Sequence, residues 1–502
     1  MRTEKDRELT KGEMLRSVFL FVLHGVILLA IVAVLLFGDK LGSIGETFAQ
    51  NAANYLYMLF CIVLVVGILY FYFLFENRSV LASGKNITLI FTALDTYLIM
   101  AVLIGNYFHV YARPVALVPL LIYALIGRRE AIFTNIICGF LTFIVDNFST
   151  AGVTANNIYS SMLISFSAGM VAIFFFEKAK TRFQIVKIGV GIVVPIDVIV
   201  FLLELSMLLS SNSQAVTELS EWSVVWESMG FGFFGGVGST VLFLALLPVF
   251  EAVFNCLTNF RVRELTGHDA KLLRKLQDEA SGTYNHSMTV AQLAAACAAS
   301  LGEDVDYARA AALYHDMGKL HQPEYFTENQ WGYNVHDELT PELSADIVRS
   351  HAQDGYDLIL ANHLPQFLAD VALQHHGTMP IRYFYAKALK MTDGDLNVEE
   401  FSYLGPKPQT KIAAIIMIVD AAEAAVKALK DHAPEKVEKV VREIIEERME
   451  LEQFSECDIT MADLTKIRLT IVSVLTGVYH HRVKYPKIKY KQSDGKTVGS
   501  NE

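Results

Sequence analysis

Apolar residues in the first half of the chain come in uninterrupted runs of about 20, long enough to cross a bilayer as helices. In the second half they recur every three or four positions, the spacing of amphipathic helices. Eight long runs stand out, over 18–37, 54–75, 87–104, 107–126, 131–146, 158–176, 188–209 and 229–250. They stop near Phe254, and dense charge begins there. Beyond that point Val290, Leu293, Ala294, Cys297 and Leu301, then Ala308, Ala311 and Ala312, fall at helical spacing. Alternating β-branched stretches are scarce, and Pro323, Pro341, Pro365, Pro380, Pro406 and Pro408 break the segments. The pattern predicts an all-α protein, a polytopic bundle of about eight membrane helices followed by an all-α domain. Its expected parts are a basic N-terminal segment (1–17), the membrane bundle (18–254), a juxtamembrane helix (255–280), the all-α domain (281–483) and a basic tail (484–502). The tail is expected to be disordered or to lie toward anionic lipid.

Charge gives the bundle a direction. Lys and Arg collect in one set of connections (Arg78, Lys85, Arg128, Arg129, Lys178, Lys180, Arg182, Lys187), while the opposite set holds only Lys40 and Arg113. The rule that cytoplasmic loops carry the positive charge then places the N-terminus and everything after Phe254 in the cytoplasm. An even number of crossings is required, which eight satisfies. The basic residues before the first run suggest a signal peptide, but that run is long and lacks a clear cleavage site, so an anchor is expected. Asp95, Asp197 and Glu204 fall inside runs and are candidates for function or for helix packing. The glycine-rich stretch from Gly230 to Gly238 is read as a close-packing helix face, since a phosphate loop would need a following lysine.

The net charge of −11 argues against a nucleic-acid polymer as partner. Five cysteines without paired spacing suggest neither a disulfide framework nor a zinc knuckle. The histidines are the informative residues. Of 14, only His24 and His109 lie in the membrane half. Five of the rest stand on or beside predicted helices in settings suited to ligands: His286, His315 with Asp316, His351, and His375 with His376. Asp420 joins them. Imidazole with carboxylate suits iron, manganese, cobalt or zinc better than magnesium or calcium. Five histidines and two aspartates are too many for one ion and suit two divalent ions sharing a carboxylate. Such a pair can activate a hydroxide and hold phosphoryl oxygens.

These residues resemble the His…His-Asp…Asp pattern of the HD-domain phosphohydrolases, and in particular the membrane-anchored PgpH-type cyclic di-AMP phosphodiesterases. The matching stretches are GTYNHS (282–287), YHDMGK (314–319), SHAQDGYDL (350–358), QHHGTM (374–379), FSYLGPKPQTK (401–411), VDAAEAA (419–425) and VLTGVYHHRVKYP (474–486). The resemblance implies a seven-helix membrane domain ahead of a catalytic HD domain, and hydrolysis of cyclic di-AMP to pApA. It implies two metal ions, manganese or iron. His286, His315, Asp316 and Asp420 would hold one, and His351, His375 and His376 the other, with Asp316 shared. Lys319, one helical turn past the pair, is expected to clamp a phosphate oxygen or protonate the leaving group. Tyr383, Lys407 and Arg482 are further candidates for adenine stacking and phosphate contact.

Two departures from that family are visible. Asn285 stands where its pattern has histidine, and only the short stretch 38–53 separates the first two runs, where relatives usually carry a large extracytoplasmic sensor. Other readings stay open: a hydrolase of another cyclic dinucleotide or nucleotide, and a receptor that binds nucleotide without turnover. The first is disfavoured for cyclic di-GMP because no Gly-Tyr-Pro follows His376, and the second because no ligand is missing. The oligomeric state, a homodimer included, is left open.

Overall fold

The computed structural model describes residues 9–37, 44–148, 155–177, 179, 182–211, 219–267, 269–391 and 396–478. Arg482, His480, His481 and the 484–502 tail lie outside the described residues, as does Lys40. The chain divides into two compact units, Met1–Arg261 and Val262–Glu502. Among the described residues there is no strand, only one isolated bridge between Pro380 and Ser402.

The first unit is built from helices α1 (Lys11–Phe37), α2 (Ile44–Glu76), α3 (Arg78–Ala82), α4 (Gly84–Tyr107), α5 (Leu117–Leu125), α6 (Arg128–Phe148), α7 (Ala155–Phe176), α8 (Arg182–Ser211) and α9 (Leu219–Val253). Among the described residues seven of these are long and apolar enough to cross a membrane. That corrects the expected count of about eight. The run at 107–126 does not form a spanning helix: α4 ends at Tyr107, and after a short 3₁₀ turn and Pro114 only the nine residues of α5 are helical.

The chain nevertheless makes the return journey there. Asn77 Nδ2, just past α2, donates to Glu130 Oε1 at the start of α6 (2.6 Å), so α4 and α6 begin on the same face. Halfway along, Tyr97 Oη and Thr142 Oγ1 meet at 2.9 Å, so the two helices run parallel. The segment between them must therefore come back across the bundle. It does so as a short, fully buried stretch, with Val115 to Ile122 packed on every side. An ion pair pins its far end. Arg113 places Nη1 and Nη2 on the two oxygens of Asp146 (2.6 and 2.7 Å) and donates Nε–H to the carbonyl of Ala101 (3.0 Å). Both side chains are buried, so each neutralises a charge that would otherwise be costly there.

With this crossing the parity is even. Arg16 at the start of α1 hydrogen-bonds Ala82 O, Lys85 Nζ donates to Asn255 O (3.4 Å), and Arg128 pairs with Glu177 (3.0 Å). These contacts put the start of α1 and the end of α9 on one face, together with most of the basic residues. The glycine-rich stretch lies inside α9 and is the expected close-packing face: a Cβ on Gly235 would stand 2.4 Å from the carbonyl oxygen of Tyr111. Gly232 meets Asp197 in the same way. Asp95 and Asp197 each bury one carboxylate oxygen without a hydrogen bond, whereas Glu204 accepts from Ser228 Oγ (3.0 Å).

The boundary between the units falls inside α10 (Asn259–Leu265). The second unit continues with α11 (Lys271–Glu279), α12 (Ser281–Leu301), α13 (Val305–Tyr314), α14 (Pro341–Ala361), α15 (Gln366–Gln374), α16 (Arg382–Leu389), α17 (Lys411–Lys427), α18 (Pro434–Glu450) and α19 (Met461–Val478). Side-chain caps set the helix starts: Asp304 accepts from Asp306 N and Tyr307 N, Thr340 from Leu343 N, and Thr410 from Ala413 N. The unbroken apolar run Ile412–Val419 makes α17 the central helix, buried on all sides among α12, α13, α15, α18 and α19.

The buried ion pair yields a direct test. Asp146→Ala would leave the Arg113 guanidinium buried without its counter-charge, at an expected cost of about 3–5 kcal/mol. The thermal unfolding midpoint in detergent should fall accordingly, and the apolar double replacement R113L/D146L should recover much of it. An Asp146→Ala protein as stable as the wild type would refute the pinning role.

Candidate metal centre

Two helix ends and the bodies of three further helices converge at the middle of the second unit. α12 contributes His286, the end of α13 His315 and Asp316, α14 His351, the end of α15 His375 and His376, and α17 Asp420. The seven predicted residues are thus brought together. Gly318 allows the convergence: a Cβ there would stand 1.9 Å from the carbonyl oxygen of His351, so only glycine lets the turn after Asp316 press against α14.

Geometry fixes which imidazole nitrogen faces inward. His315, His351 and His375 each donate Nδ1–H to the carbonyl three residues earlier, Ala312, Val348 and Ala372, at 2.7, 2.5 and 2.7 Å. Their Nε2 atoms therefore face the centre. His286 reaches the same state differently, with Nδ1 2.6 Å from the buried carboxylate of Glu423. The Asp316 carboxylate sits between two groups. Its Oδ2 faces His315 Nε2 and His286 Nε2 (3.3 and 3.8 Å), and its Oδ1 faces His351 Nε2 and His375 Nε2 (3.4 and 3.7 Å). Asp420 Oδ1 completes the first group, 2.9 Å from His286 Nε2 and 3.7 Å from His315 Nε2. His376 completes the second, and the trios His286–His315–Asp420 and His351–His375–His376 each converge closely enough to hold one ion.

The donor set fits metal on two grounds of its own. His315 Nε2 is buried without a hydrogen bond. His351 Nε2 and His375 Nε2 approach to 3.3 Å although both Nδ1 atoms already carry the hydrogen, so two lone pairs face each other. A cation between them relieves that contact.

Electrostatics divides the two trios. Burial opposes a charge on His286 and on His315, but neighbouring carboxylates outweigh it. Asp420 and Glu423 raise His286 to about 9, and Asp316 and Asp420 raise His315 to about 10. At His375 burial is reinforced by His315 and His351, and the ring falls to about 3. His351 and His376 are also lowered, chiefly by burial. Burial would raise Asp316, yet His315 and Lys319 hold it well below the usual carboxylate range.

Lys319 lies in this wall, its Nζ 2.8 Å from both Asp316 Oδ2 and Glu328 Oε1 and 5.0 Å from the Phe326 ring centroid. Burial alone would lower its pKa, but the two carboxylates raise it. A cleft of about 480 Å³ opens over the cluster, lined among others by Phe326, Glu328, Tyr403, Glu423 and Lys427. The Tyr403 ring stacks on His376 (4.2 Å between centroids). Of the weaker sequence candidates, Tyr383 is exposed and does not line the cleft, and Lys407 donates to Ser455 Oγ (3.2 Å) outside it. Sequence reasoning missed Glu423, although its position one turn after Asp420 was a usable signal. For Glu328, Phe326 and Tyr403 no spacing pointed to the cleft.

An all-helical scaffold whose helices deliver a His, a His-Asp pair and a distant Asp to one centre is an HD domain, and domains of this class use divalent metals. Residues 283–425 match the model of the HD domain, and residues 52–258 match that of the 7TM receptor with intracellular HD hydrolase. The chain belongs to this family of membrane proteins that join a seven-helix region to an HD domain. It is 36% identical over 86% of its length to the cyclic-di-AMP phosphodiesterase PgpH of Bacillus subtilis, covering 60% of that protein. It is 38% identical over 75% of its length to the cyclic-di-AMP phosphodiesterase PgpH of Listeria monocytogenes, covering 50% of that protein. The chain thus spans only half to three fifths of these curated relatives. The solved HD domain of L. monocytogenes PgpH in complex with cyclic-di-AMP is 47% identical, with 43% of this chain matched to 99% of that one at a TM-score of 0.41.

The Glu423 contact makes a specific prediction. A carboxylate holding the outer nitrogen of a ligating histidine is typically worth about 10–100-fold in metal affinity. Glu423→Ala is expected to weaken metal binding by that factor in calorimetric titration, and Glu423→Gln, which can still accept from Nδ1, to recover part of it. Unchanged affinity in Glu423→Ala would show that the contact does not orient His286.

Proposed function

We propose that the protein is a membrane-anchored phosphodiesterase that hydrolyses cyclic di-AMP to pApA on the cytoplasmic side, lowering the level of this second messenger. The observation that carries the reading is the Asp316 carboxylate, with one oxygen turned to each of two histidine groups. The described activity of the B. subtilis and L. monocytogenes relatives supports the substrate. In this reading His286, His315 and Asp420 hold one ion, His351, His375 and His376 the other, and Asp316 both. Mixed imidazole and carboxylate donors suit manganese or iron. When bound, two such ions supply an activated water and neutralise the phosphoryl oxygens of an in-line displacement.

The chain's own groups then have separable tasks. The backbone carbonyls of Ala312, Val348 and Ala372 keep three rings in the tautomer that presents Nε2. Lys319 acts as a fixed charge. Two carboxylates hold its proton tightly, so it orients Asp316 rather than protonating the leaving 3′-oxygen, which takes its proton from water. Phe326 and Tyr403 offer aromatic faces on the cleft wall for the bases. Cytoplasmic placement is supported by the basic residues gathered on the face where α1 begins and α9 ends.

Purified full-length protein loaded with manganese or iron is expected to convert cyclic di-AMP to pApA. Asp316→Ala should abolish turnover and lose metal by elemental analysis. A folded, metal-loaded protein without turnover would overturn the substrate assignment, and Asp316→Ala with full metal content would overturn the bridging role. For the orientation, single cysteines placed at Lys85 and Arg129 should resist a membrane-impermeant thiol reagent in intact cells, and one at Lys40 should react. The reverse pattern would refute it.

A further inference from the structure

The cleft wall carries a cation that the ligand cluster does not use. Lys427 lies on α17 seven residues after Asp420, two turns along and on the same helix face, about 10 Å from it along the axis. It is exposed and lines the cleft, with Ala424 and Ala428 beside it, so small side chains leave the space over it open. The other lining lysine, Lys319, is bound to Asp316 and Glu328. Glu423, one turn before Lys427, is turned inward to His286. Among the described residues Lys427 forms no ion pair. The bland role for it, a lysine at a helix C-terminus favoured by the dipole, explains neither its place on the cleft wall nor its distance from the cluster.

A cyclic dinucleotide carries two phosphates across one ring. The seven-ligand cluster engages the one being cleaved, and the other must find its counter-charge elsewhere on the wall. We propose that Lys427 anchors the non-scissile phosphate and so selects doubly charged cyclic dinucleotides over substrates with a single phosphodiester. This rests on the phosphodiesterase reading above and adds to it the residue that measures the second charge.

The test compares two substrates on the full-length, manganese-loaded protein: cyclic di-AMP and bis(p-nitrophenyl) phosphate, which has a single phosphodiester. In Lys427→Ala the ratio of kcat/KM for the first over the second is expected to fall about tenfold, mainly through KM, as for loss of one charge-assisted contact. Lys427→Glu should lower it further, and Lys427→Arg should keep it within about twofold of wild type. Lys439→Ala, which removes an equal charge from exposed α18, should leave the ratio where it was. A ratio unmoved in Lys427→Ala, including a parallel loss on both substrates, overturns the inference while the phosphodiesterase reading stands. Wild-type protein that cleaves bis(p-nitrophenyl) phosphate but not cyclic di-AMP overturns both.

Discussion

Two imidazole nitrogens facing each other at 3.3 Å, each with its lone pair inward, are the constraint on which the second unit depends. Nothing in an apolar bundle would hold them so. Their outer nitrogens are tied to backbone carbonyls one helical turn back, which makes each ring's direction a property of its own helix end. The bundle then has to place the ends of α13 and α15 and the bodies of α12, α14 and α17 at one point. The apolar run of α17 supplies the common core for that, and Gly318 supplies the clearance. Asp316 occupies the position where the two histidine groups meet, so a single carboxylate links chemistry contributed by five segments.

The first unit solves a different problem with the same economy. A bundle of apolar helices leaves no backbone group free, so an incomplete helix must be buried within it. The segment from Val110 to Ile126 is such a piece. Its polar end is satisfied by Arg113, which binds Asp146 and the Ala101 carbonyl, and its body is walled in on every side. The glycines of α9 let that segment and α8 come close, and the unpaired oxygen of Asp197 lies in the same contact.

Much of this was legible beforehand. The all-α class, the glycine face of α9 and the seven residues that gather at the centre all follow from apolar spacing or from unusual neighbours such as His315-Asp316. The run at 107–126 misled because hydropathy registers composition and not helix continuity. Pro114 and the buried Arg113 interrupt the helix without making the segment polar. Lys319 was legible as a cation near the site. That two carboxylates had already claimed it was not, since Glu328 lies in a short 3₁₀ turn that is held to Thr283 of α12 through Glu328 and Asn329.

The sequence by itself determined what kinds of groups were available and on which element each would ride, because periodicity and ligand chemistry are local properties. Only the tertiary structure decided how they are shared out. It turned one oxygen of Asp316 to each trio, gave His286 a carboxylate where the other rings have carbonyls, and put Phe326, Tyr403 and Lys427 on the cleft wall while leaving Tyr383 and Lys407 outside it. Those choices rest on the angles at which helices cross, and crossing angles are set by packing between segments far apart in the chain.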